Sequence, residues 1–399
     1  MGSQVLLTPQ VISKETLMIL ENNLVAANRV NRSFENQFVK IGSSLTIRKP
    51  NRYTVRSGAA ISVQDIAEPS TSISISNQKG VDFEFTSQDL TLTVEEFSER
   101  YLKPAMSEVA NQIDFDVLQR IFSISNYVGT PTVTPAAFST SVQLTGRRLD
   151  ENAAAQQERS LILNPAAYWA IANGLSPSFV MPTAKEALVK GYLSTIGNHE
   201  VYMDQNIPSN TSGTQHNTSI GMVITSATFT GTTTQMYGGT PAESIGIGEV
   251  FTVGGVFNVN PKTRQSTGVL KNFTVTATST PTASTWTINF TPAIVTSGAY
   301  QNVSAAMGVA STVTWLTGTT ATQIASPQNV AIQRDCIGLV MVPLEIPQGV
   351  DFSAREMYKN ISARIVRAYD INNDVFPTRV DVLYGTAVYY DELGCRLGG

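Results

Sequence analysis

This chain of 399 residues has few of the residues on which enzymes and metal sites depend. There are two histidines, His199 and His216, so a histidine-based metal site or a Ser-His-Asp triad has few possible members. The two cysteines cannot build a disulfide framework, and we expect Cys336 in a buried strand and Cys395 near a mobile end. We therefore predict no catalytic, cofactor-binding or metal-binding residues.

Long apolar runs and an excess of one charge are also missing. No segment approaches the ~20 apolar residues of a transmembrane helix, and no secretory signal opens the sequence, so we expect no membrane partner and a reducing cytosol. The formal net charge of −4 argues against tight, sequence-independent binding of nucleic acid. Asp370, Asn372, Asp374 and Asp381 match several positions of a calcium loop, but Val375 stands where that loop requires glycine. We interpret this segment as a turn, and cation binding stays open.

Charge itself is scarce from about residue 208 to residue 325, where the charged residues are Glu243, Glu249, Lys262, Arg264 and Lys271. Residues 273–277 and 286–290 alternate apolar and polar side chains as half-buried strands do, and residues 251–257 predict another strand pair. Ordinary mixed sequence resumes afterwards. The pattern predicts an all-β module, a small antiparallel barrel or sandwich, inserted into a host domain.

The N-terminal part combines a helical pattern with a basic stretch. Leucines at helical spacing predict an arm helix that ends near Asn28. Between residues 29 and 56 there are seven basic residues against the single acidic residue Glu35, and a strand is expected at residues 45–47. Residues 71–85 also alternate like a strand, with Gly80 as a turn or bulge.

The strongest helix signal covers residues 93–123, where apolar residues recur every four positions and Thr93 and Glu96 have the spacing of a capping box. Pro104 should kink this helix or move its start towards the C-terminus. Acidic residues gather at its N-terminal end, where they suit the helix dipole. Residues 160–207 then predict a small unit of alternating strands and helices.

The basic stretch at residues 29–56 has three possible roles. It can be a solvated face, a contact with nucleic acid, or a contact with an acidic surface on a neighbouring subunit, and residues 82–99 of the same chain offer such a surface. Complementary charge on two parts of one chain suits a repeating contact between copies. In that case, reversing the charges of Arg48 and Lys49 should impair assembly.

The order of these elements resembles the coat proteins of P-22-like short-tailed bacteriophages. The resemblance rests on Gly42-Ser43-Ser44-Leu45-Thr46-Ile47-Arg48-Lys49-Pro50, on Ser87-Gln88-Asp89-Leu90 before the long helix, on the segment from Leu161 to Tyr168, on the Thr-rich β insertion and on the closing strand Leu383-Tyr384-Gly385. It implies an α+β fold of the HK-97-like phage capsid type with an inserted all-β barrel domain. The implied parts are an N-terminal arm at residues 1–44, an extended loop at 45–85, a peripheral domain at 86–150 and 376–399 with a long spine helix at 93–123, an axial domain at 151–224 and 321–375, and the inserted barrel at 225–320.

The same resemblance implies a structural major capsid protein rather than an enzyme. Hexamers and pentamers would self-assemble into an icosahedral shell that encloses the double-stranded DNA of a tailed bacteriophage without sequence-specific binding. The implied partners are other copies of the chain, a scaffolding protein and a portal protein, and the implied location is the virion after procapsid assembly in the host bacterial cytoplasm. The residues predicted to lie at intersubunit contacts are Arg48, Lys49, Arg52, Arg56, Asp82, Glu84, Glu95, Glu96, Lys262 and Arg264. The last two fall where the family's insertion domain has a loop that reaches a neighbour.

Two other classes stay open at this point. A phage tail or surface adhesin protein would explain residues 208–325, but it leaves the long helix and the basic stretch unexplained. An enzyme could assemble a site from scattered Asp, Glu and Tyr residues. A capsid protein should form uniform closed particles, a tail protein fibres or small rings, and an enzyme a small discrete oligomer.

Overall fold

The computed structural model describes residues 18, 20, 24–33, 44–61, 63–64, 68–86, 103–131, 138–174, 193, 195–214, 222–225, 231–238, 244–282, 284–318, 323–350, 352–358 and 361–398. The chain divides into two compact units. The first comprises Met1–Ile47, Ser70–Val117 and Ile337–Ala387. The second comprises Arg48–Pro69, Leu118–Cys336 and Val388–Gly399.

Among the described residues, strands outnumber helices in both units. The helices are α1 (Lys103–Leu118), α2 (Phe138–Glu151) and α3 (Pro165–Gly174), with short 3-10 helices at Gln119–Ser123 and Asp391–Leu393. The strands are β1 (Ser44–Arg48), β2 (Ser70–Ser74), β3 (Asn77–Thr86), β4 (Tyr127–Gly129), β5 (Arg159–Leu163), β6 (Thr195–Ile196), β7 (His199–Met203), β8 (Ser209–Thr211), β9 (Val223–Ile224), β10 (Thr233–Tyr237), β11 (Val250–Val259), β12 (Ser266–Val275), β13 (Thr285–Thr291), β14 (Val313–Trp315), β15 (Ala325–Gln333), β16 (Ile337–Met341), β17 (Phe352–Tyr358), β18 (Ile361–Arg367), β19 (Val375–Val388) and β20 (Gly394–Gly398).

The first unit contains a five-stranded sheet in the order β16-β19-β18-β17, with β3 also paired to β19, and a separate pair of β1 with β2. The predicted strand at residues 45–47 is confirmed. Gly80 lies opposite Asp381 within an unbroken ladder, so the predicted turn or bulge there is wrong. A Cβ at Gly80 would come within 2.4 Å of the carbonyl oxygen of Val380. Glycine is needed here because the backbones of β3 and β19 approach too closely for a side chain.

Helix α1 packs its apolar face into the first unit, where Met106, Ala110 and Ile113 are fully buried. Pro104 is the second residue of the described part of the helix, and a proline is tolerated in the first turn of a helix. The predicted end is confirmed because the 3-10 helix at Gln119–Ser123 continues α1. Residues 93–102 of the predicted helix lie outside the described residues.

Asp114 of α1 holds the segment at residues 24–30, which consists of turns and bends rather than the helix predicted to reach Asn28. Its carboxylate accepts hydrogen bonds from the backbone N–H groups of Val25 and Ala27, at 2.7 and 2.8 Å. The side chain of Asp114 is buried. Charge-assisted hydrogen bonds to backbone donors therefore hold this segment against α1.

The second unit contains a seven-stranded mixed sheet in the order β4-β20-β15-β5-β7-β6, with β8 also paired to β15. All five residues of β5 are buried, and side chains of α2 and α3 share a core with it, including Leu149 and Ile171. The strands expected at residues 161–163 and 199–203 and the helix expected at 165–172 are confirmed, whereas residues 183–192 of a second expected helix lie outside the described residues. Cys336 is buried as expected, but it lies in the turn between β15 and β16 rather than in a strand. The prediction for Cys395 is wrong, because β20 pairs with β15 and β4 and buries this thiol completely.

The same unit contains a six-stranded antiparallel sheet in the order β14-β11-β12-β13-β10-β9. The rings of Phe251, Phe273 and Phe290 pack with centroids 5.2 to 5.9 Å apart. Trp286 is fully buried, and its Nε1 donates a hydrogen bond to Gly238 O at 2.6 Å. The alternating pattern that predicted these strands therefore corresponds to an aromatic core on one face.

One detail of this sheet differs from the expectation. Residues 251–257 are not a strand pair, since β11 runs through Gly254-Gly255 as one bulged strand, and Gly255 has φ +83°. Backbone hydrogen bonds also join the two edges of the sheet. Ile224 N donates to Ser311 O at 3.1 Å, and Val313 N donates to Met222 O at 2.9 Å.

Candidate functional site

The candidate site is the segment Arg48–Pro69 together with the residues of the second unit that hold it. We call the described residues between 55 and 63 the exposed loop and the flanking residues 48–54 and 64–69 its base. Val55, Ile61 and Val63 are 99%, 86% and 89% exposed. Three aliphatic side chains in water on one short loop are an unfavourable arrangement unless another surface covers them.

The two sides of the base are tied to each other. Lys49 N donates to Pro69 O at 2.8 Å. Further along, Gln64 takes the place of a strand partner: its Oε1 accepts from Thr54 N at 2.7 Å, and its Nε2 donates to Thr54 O at 2.5 Å. Hydrogen bonds like those of a short β-ladder therefore join the two sides of the loop base.

Arg52 anchors the base to the rest of the second unit. Its guanidinium pairs with the carboxylate of Glu392, and it also lies 5.9 Å from the ring centroid of Tyr300. The hydroxyl of Tyr300 donates to Asn51 Oδ1 at 3.0 Å. Both partners of the ion pair are largely shielded from water, with side-chain exposures of 33% and 27%. This shielding makes the pair stronger than a surface ion pair.

Lys49 is a second anchor of the loop base. Its ammonium lies 4.9 Å from the ring centroid of Tyr390, a cation–π contact. Burial lowers the pKa of Lys49, and the carboxylates of Asp391 and Glu392 oppose that shift. The acidic pair after β19 thus faces the basic start of the loop.

The predicted contact residues Lys262 and Arg264 lie in the turn between β11 and β12. Asn260 Oδ1 accepts hydrogen bonds from Lys262 N at 2.9 Å and from Thr263 N at 3.0 Å, which fixes the turn. Arg264 has φ +56°, and its Nη2 donates to Tyr53 O at 2.6 Å. Arg264 therefore contacts the base of the loop in its own chain.

A cleft with a volume of about 390 Å³ separates this turn from the loop base. Its lining residues are Arg52, Tyr53, Asn152, Ala153, Pro261, Lys262, Arg264, Glu392 and Leu393. Behind it lies a chain of buried polar groups. Lys271 Nζ donates to Asn258 Oδ1 at 3.0 Å, and Asn258 Nδ2 donates to Asn152 Oδ1 at 3.1 Å. Burial lowers the pKa of Lys271, against the effect of Asp391 and Glu392.

The remaining predicted contacts are more exposed. Arg48 pairs with Glu68 at 3.2 Å, with side chains 78% and 45% exposed. Arg56 donates to the carbonyl oxygens of Gly58 and Ala60 within the exposed loop. Exchanging these contacts for contacts with other partners would cost little free energy, because surface ion pairs contribute at most about 1 kcal/mol to stability.

The acidic residues Asp82 and Glu84 lie on the exposed face of β3 in the first unit. Arg379 of the neighbouring strand is 3.9 Å from Asp82. Glu95 and Glu96 lie outside the described residues. The structure therefore places two of the four acidic residues on one exposed strand face and leaves their proposed contact a prediction.

Sequence reasoning missed the partners that hold the base, namely Tyr300, Tyr390 and Glu392. One signal was available for Glu392, because Asp391 and Glu392 form an isolated acidic pair that complements the basic start of the loop. No sequence pattern marked Tyr300 or Tyr390. Nor did any pattern mark Asn152, which only the fold brings to the cleft.

The other candidates have local structural roles. His199 begins β7 as expected, is buried, and has Nδ1 2.8 Å from Gly197 O; burial lowers its pKa. His216 lies outside the described residues. The carboxylate of Asp370 accepts from Asn372 N and Asn373 Nδ2, so the predicted turn is confirmed. Among the described residues, no cluster of three His, Cys, Asp or Glu side chains could hold a metal ion. No helix within those ranges is long and apolar enough to span a membrane.

Comparison with known proteins gives one match over the whole length. The family described as "P22 coat protein - gene protein 5" matches residues 1–399. No curated protein sequence matches significantly. A solved structure from Mycobacterium phage Che8 superposes with a TM-score of 0.51 at 11% identity, covering 94% of this chain and 90% of that chain. The capsid structure of cyanophage P-SCSP1u gives a TM-score of 0.46 at 9% identity, covering 90% and 84% of the two chains.

Proposed function

This chain belongs to the P22 coat protein family, and we propose from this that its exposed loop docks on a neighbouring copy of the chain in the shell. The protein is a structural major capsid protein of a bacteriophage, and its copies form the icosahedral shell of the virion. Its mixed fold of sheets with few helices is a phage capsid fold.

The observation that carries the proposal is an apolar loop on a fixed base. Val55, Ile61 and Val63 are almost fully exposed in the single chain. Burying each of them in a partner surface would contribute about 1.5–3 kcal/mol. Because the base is held by Arg52, Lys49 and the turn at residues 260–264, little conformational freedom of the base remains to be lost on docking.

The charged residues divide into two roles in this proposal. Arg48, Arg56 and Lys262, together with the acidic residues Asp82, Glu84, Glu95 and Glu96, are intersubunit contacts that steer the docking of opposite charges. Lys49, Arg52 and Arg264 act there indirectly, by holding the loop base within their own chain. Repetition by symmetry multiplies each such contact over the shell.

We extend the proposal to the finer organisation and the partners. The parts are an N-terminal arm, an extended loop, a peripheral domain with a spine helix, an axial domain and an inserted β-barrel, with the boundaries given above. The hydrogen bonds that join the edge strands of the six-stranded sheet support a closed barrel. The chain acts by assembly rather than catalysis. Procapsids form in the host cytoplasm with scaffolding and portal proteins and then enclose double-stranded DNA.

The test places two negative charges on the exposed loop. A chain carrying both Val55→Asp and Val63→Asp should fold normally but fail to form closed shells, because docking would bury two carboxylates without partners. The protein is expressed with its scaffolding partner and viewed by negative-stain microscopy, and circular dichroism checks the fold. The matched control is Ile371→Asp, at a residue that is 80% exposed in the turn before β19.

The outcomes separate clearly. Small soluble species from the loop variant, beside uniform shells from the wild type and from Ile371→Asp, support docking through the loop. Normal shells from the loop variant would refute it. Fibres or rings formed by the wild-type protein would contradict its assembly into a closed shell.

A further inference from the structure

The orientation of the buried amides behind the cleft follows from the hydrogen bonds of Lys271. Its Nζ donates to Asn258 Oδ1 at 3.0 Å, so the oxygen of Asn258 faces Lys271. The amino group of Asn258 then faces Asn152 and donates to its oxygen at 3.1 Å. The amino group of Asn152 consequently points away from this chain of groups.

That amino group has no partner among the described residues. Asn152 lines the cleft, is only 5% exposed, and its Nδ2 lacks a hydrogen bond. Buried donors in native proteins are almost always satisfied, so an orphan of this kind calls for a ligand or an ordered water. Because the free group is a donor, the ligand must be an acceptor.

The rest of the cleft has the same preference. Arg52, Lys262 and Arg264 contribute three positive charges to the lining, and Glu392, already paired with Arg52, contributes the one negative charge among the lining residues. Nε of Arg264 is also buried and has no hydrogen-bond partner within the described part of the chain. Arginine, lysine and amide donors converging on one space are the groups that bind carboxylates and phosphates.

We propose that this cleft is an oxyanion site, in which the amino group of Asn152 and the cations Arg264 and Lys262 receive a carboxylate or phosphate group. The volume of about 390 Å³ is ample for either group. Two sources could supply it. One is a carboxylate side chain of a second copy in the shell, such as the exposed acids on β3, and the other is a free phosphate ion.

The first experiment uses the unassembled chain and inorganic phosphate. Thermal unfolding is followed as phosphate replaces chloride at constant ionic strength, since a ligand that binds only the folded state raises the unfolding midpoint. We expect a saturable rise for the wild type. For Asn152→Asp the apparent affinity should fall at least about tenfold, because a donor to an anion is replaced by a repelling charge.

The substitution is chosen to keep the buried chain of groups intact. The retained carboxylate oxygen of Asn152→Asp still accepts from Asn258. The matched control is Asn111→Asp, which adds the same charge at an exposed position of α1 and should leave the phosphate response unchanged. If Asn152→Asp unfolds early even in chloride, Lys262→Gln replaces it, because the turn is held by the backbone N–H of Lys262 and not by its ammonium.

No saturable rise in the wild type would overturn the proposal. So would an unchanged phosphate response in a folded Asn152→Asp protein or, where that protein is unstable, in Lys262→Gln. Weakened binding in the variant, beside a normal response in Asn111→Asp, supports it.

The second experiment identifies the source of the oxyanion and rests on the proposed assembly. Phosphate binding is measured calorimetrically on intact shells. Loss of the binding seen in the unassembled chain means that a carboxylate of a second copy fills the cleft, whereas retained binding means that the ligand is a free ion. If no shells form, the docking proposal fails while the result on the unassembled chain still stands.

Discussion

The ion pair between Arg52 and Glu392 should stabilise the second unit by about 1–2 kcal/mol through direct coupling. Exposed pairs typically give 0.2–1 kcal/mol, and buried hydrogen bonds to charged groups about 1.5–3 kcal/mol. With side-chain exposures of 33% and 27%, this pair lies between those limits. The two substitutions are Arg52→Met, which keeps most of the length of the arginine side chain, and Glu392→Gln, which keeps the shape of the glutamate side chain.

A double-mutant cycle isolates the coupling from other losses such as the contact of Arg52 with Tyr300. Each single variant should lose about 1–3 kcal/mol, because each leaves a half-buried charge unpaired, and the double variant should lose less than the sum. Urea unfolding is followed by tryptophan fluorescence. All three tryptophans, Trp169, Trp286 and Trp315, lie in the second unit, so the signal reports the unit that contains the pair.

An exposed pair in the same unit provides the matched control. Arg334 and Glu158 are 2.9 Å apart with side chains 46% and 59% exposed. A cycle built from Arg334→Met and Glu158→Gln should give a coupling below about 1 kcal/mol that salt reduces further. If the Arg52–Glu392 coupling is below about 0.3 kcal/mol, or no larger than the control, the burial argument for this anchor is refuted.

Three further predictions concern the two units separately. Asp114→Asn should destabilise the chain by about 2–3 kcal/mol in urea unfolding, because an amide has one acceptor oxygen for the N–H groups of Val25 and Ala27. The control Glu108→Gln, on the exposed face of α1, should change the stability little. Equal losses of stability in the two variants would contradict the role of Asp114. Burial raises the pKa of Cys395 to about 12, and burial also raises the pKa of Cys336. Neither thiol should therefore react with a disulfide reagent at pH 8 until urea unfolds the protein, and fast labelling of the native protein would contradict this burial. Gly80→Ala should destabilise the folded protein by about 2 kcal/mol or more, because its Cβ would lie 2.4 Å from a backbone oxygen of the facing strand. An unchanged urea midpoint would contradict that close approach of the two strands.

The predictions that succeeded from the sequence depend on local periodicity. Alternation at residues 286–290 identified β13, and apolar residues every four positions identified the described part of α1. Such patterns persist because one face of each element must be buried, whichever partner covers it. Composition likewise indicated that residues 208–325 form a β-rich module, because its threonines and aromatic residues suit strands.

The predictions that failed depend on neighbours distant in sequence. Gly80 is a common turn residue, and only the backbone of β19 explains its place within a strand. Cys395 lies near the C-terminus, yet pairing of β20 with β15 and β4 buries it completely. The candidate site shows the same limit, since the sequence marked Arg52 as basic and Glu392 as acidic but did not show that these residues, 340 positions apart, pair with each other.

The sequence by itself determined the family, the types of the regular elements and the charge contrast between the basic stretch and the acidic residues near α1. These depend on side-chain type and spacing, which are local properties. Only the tertiary structure decided which basic residues hold the loop base within their own chain. It also buried the amino group of Asn152 at the cleft without a hydrogen-bond partner in any of the described ranges. Those outcomes depend on three-dimensional proximity and burial, which residues far apart in the chain determine together.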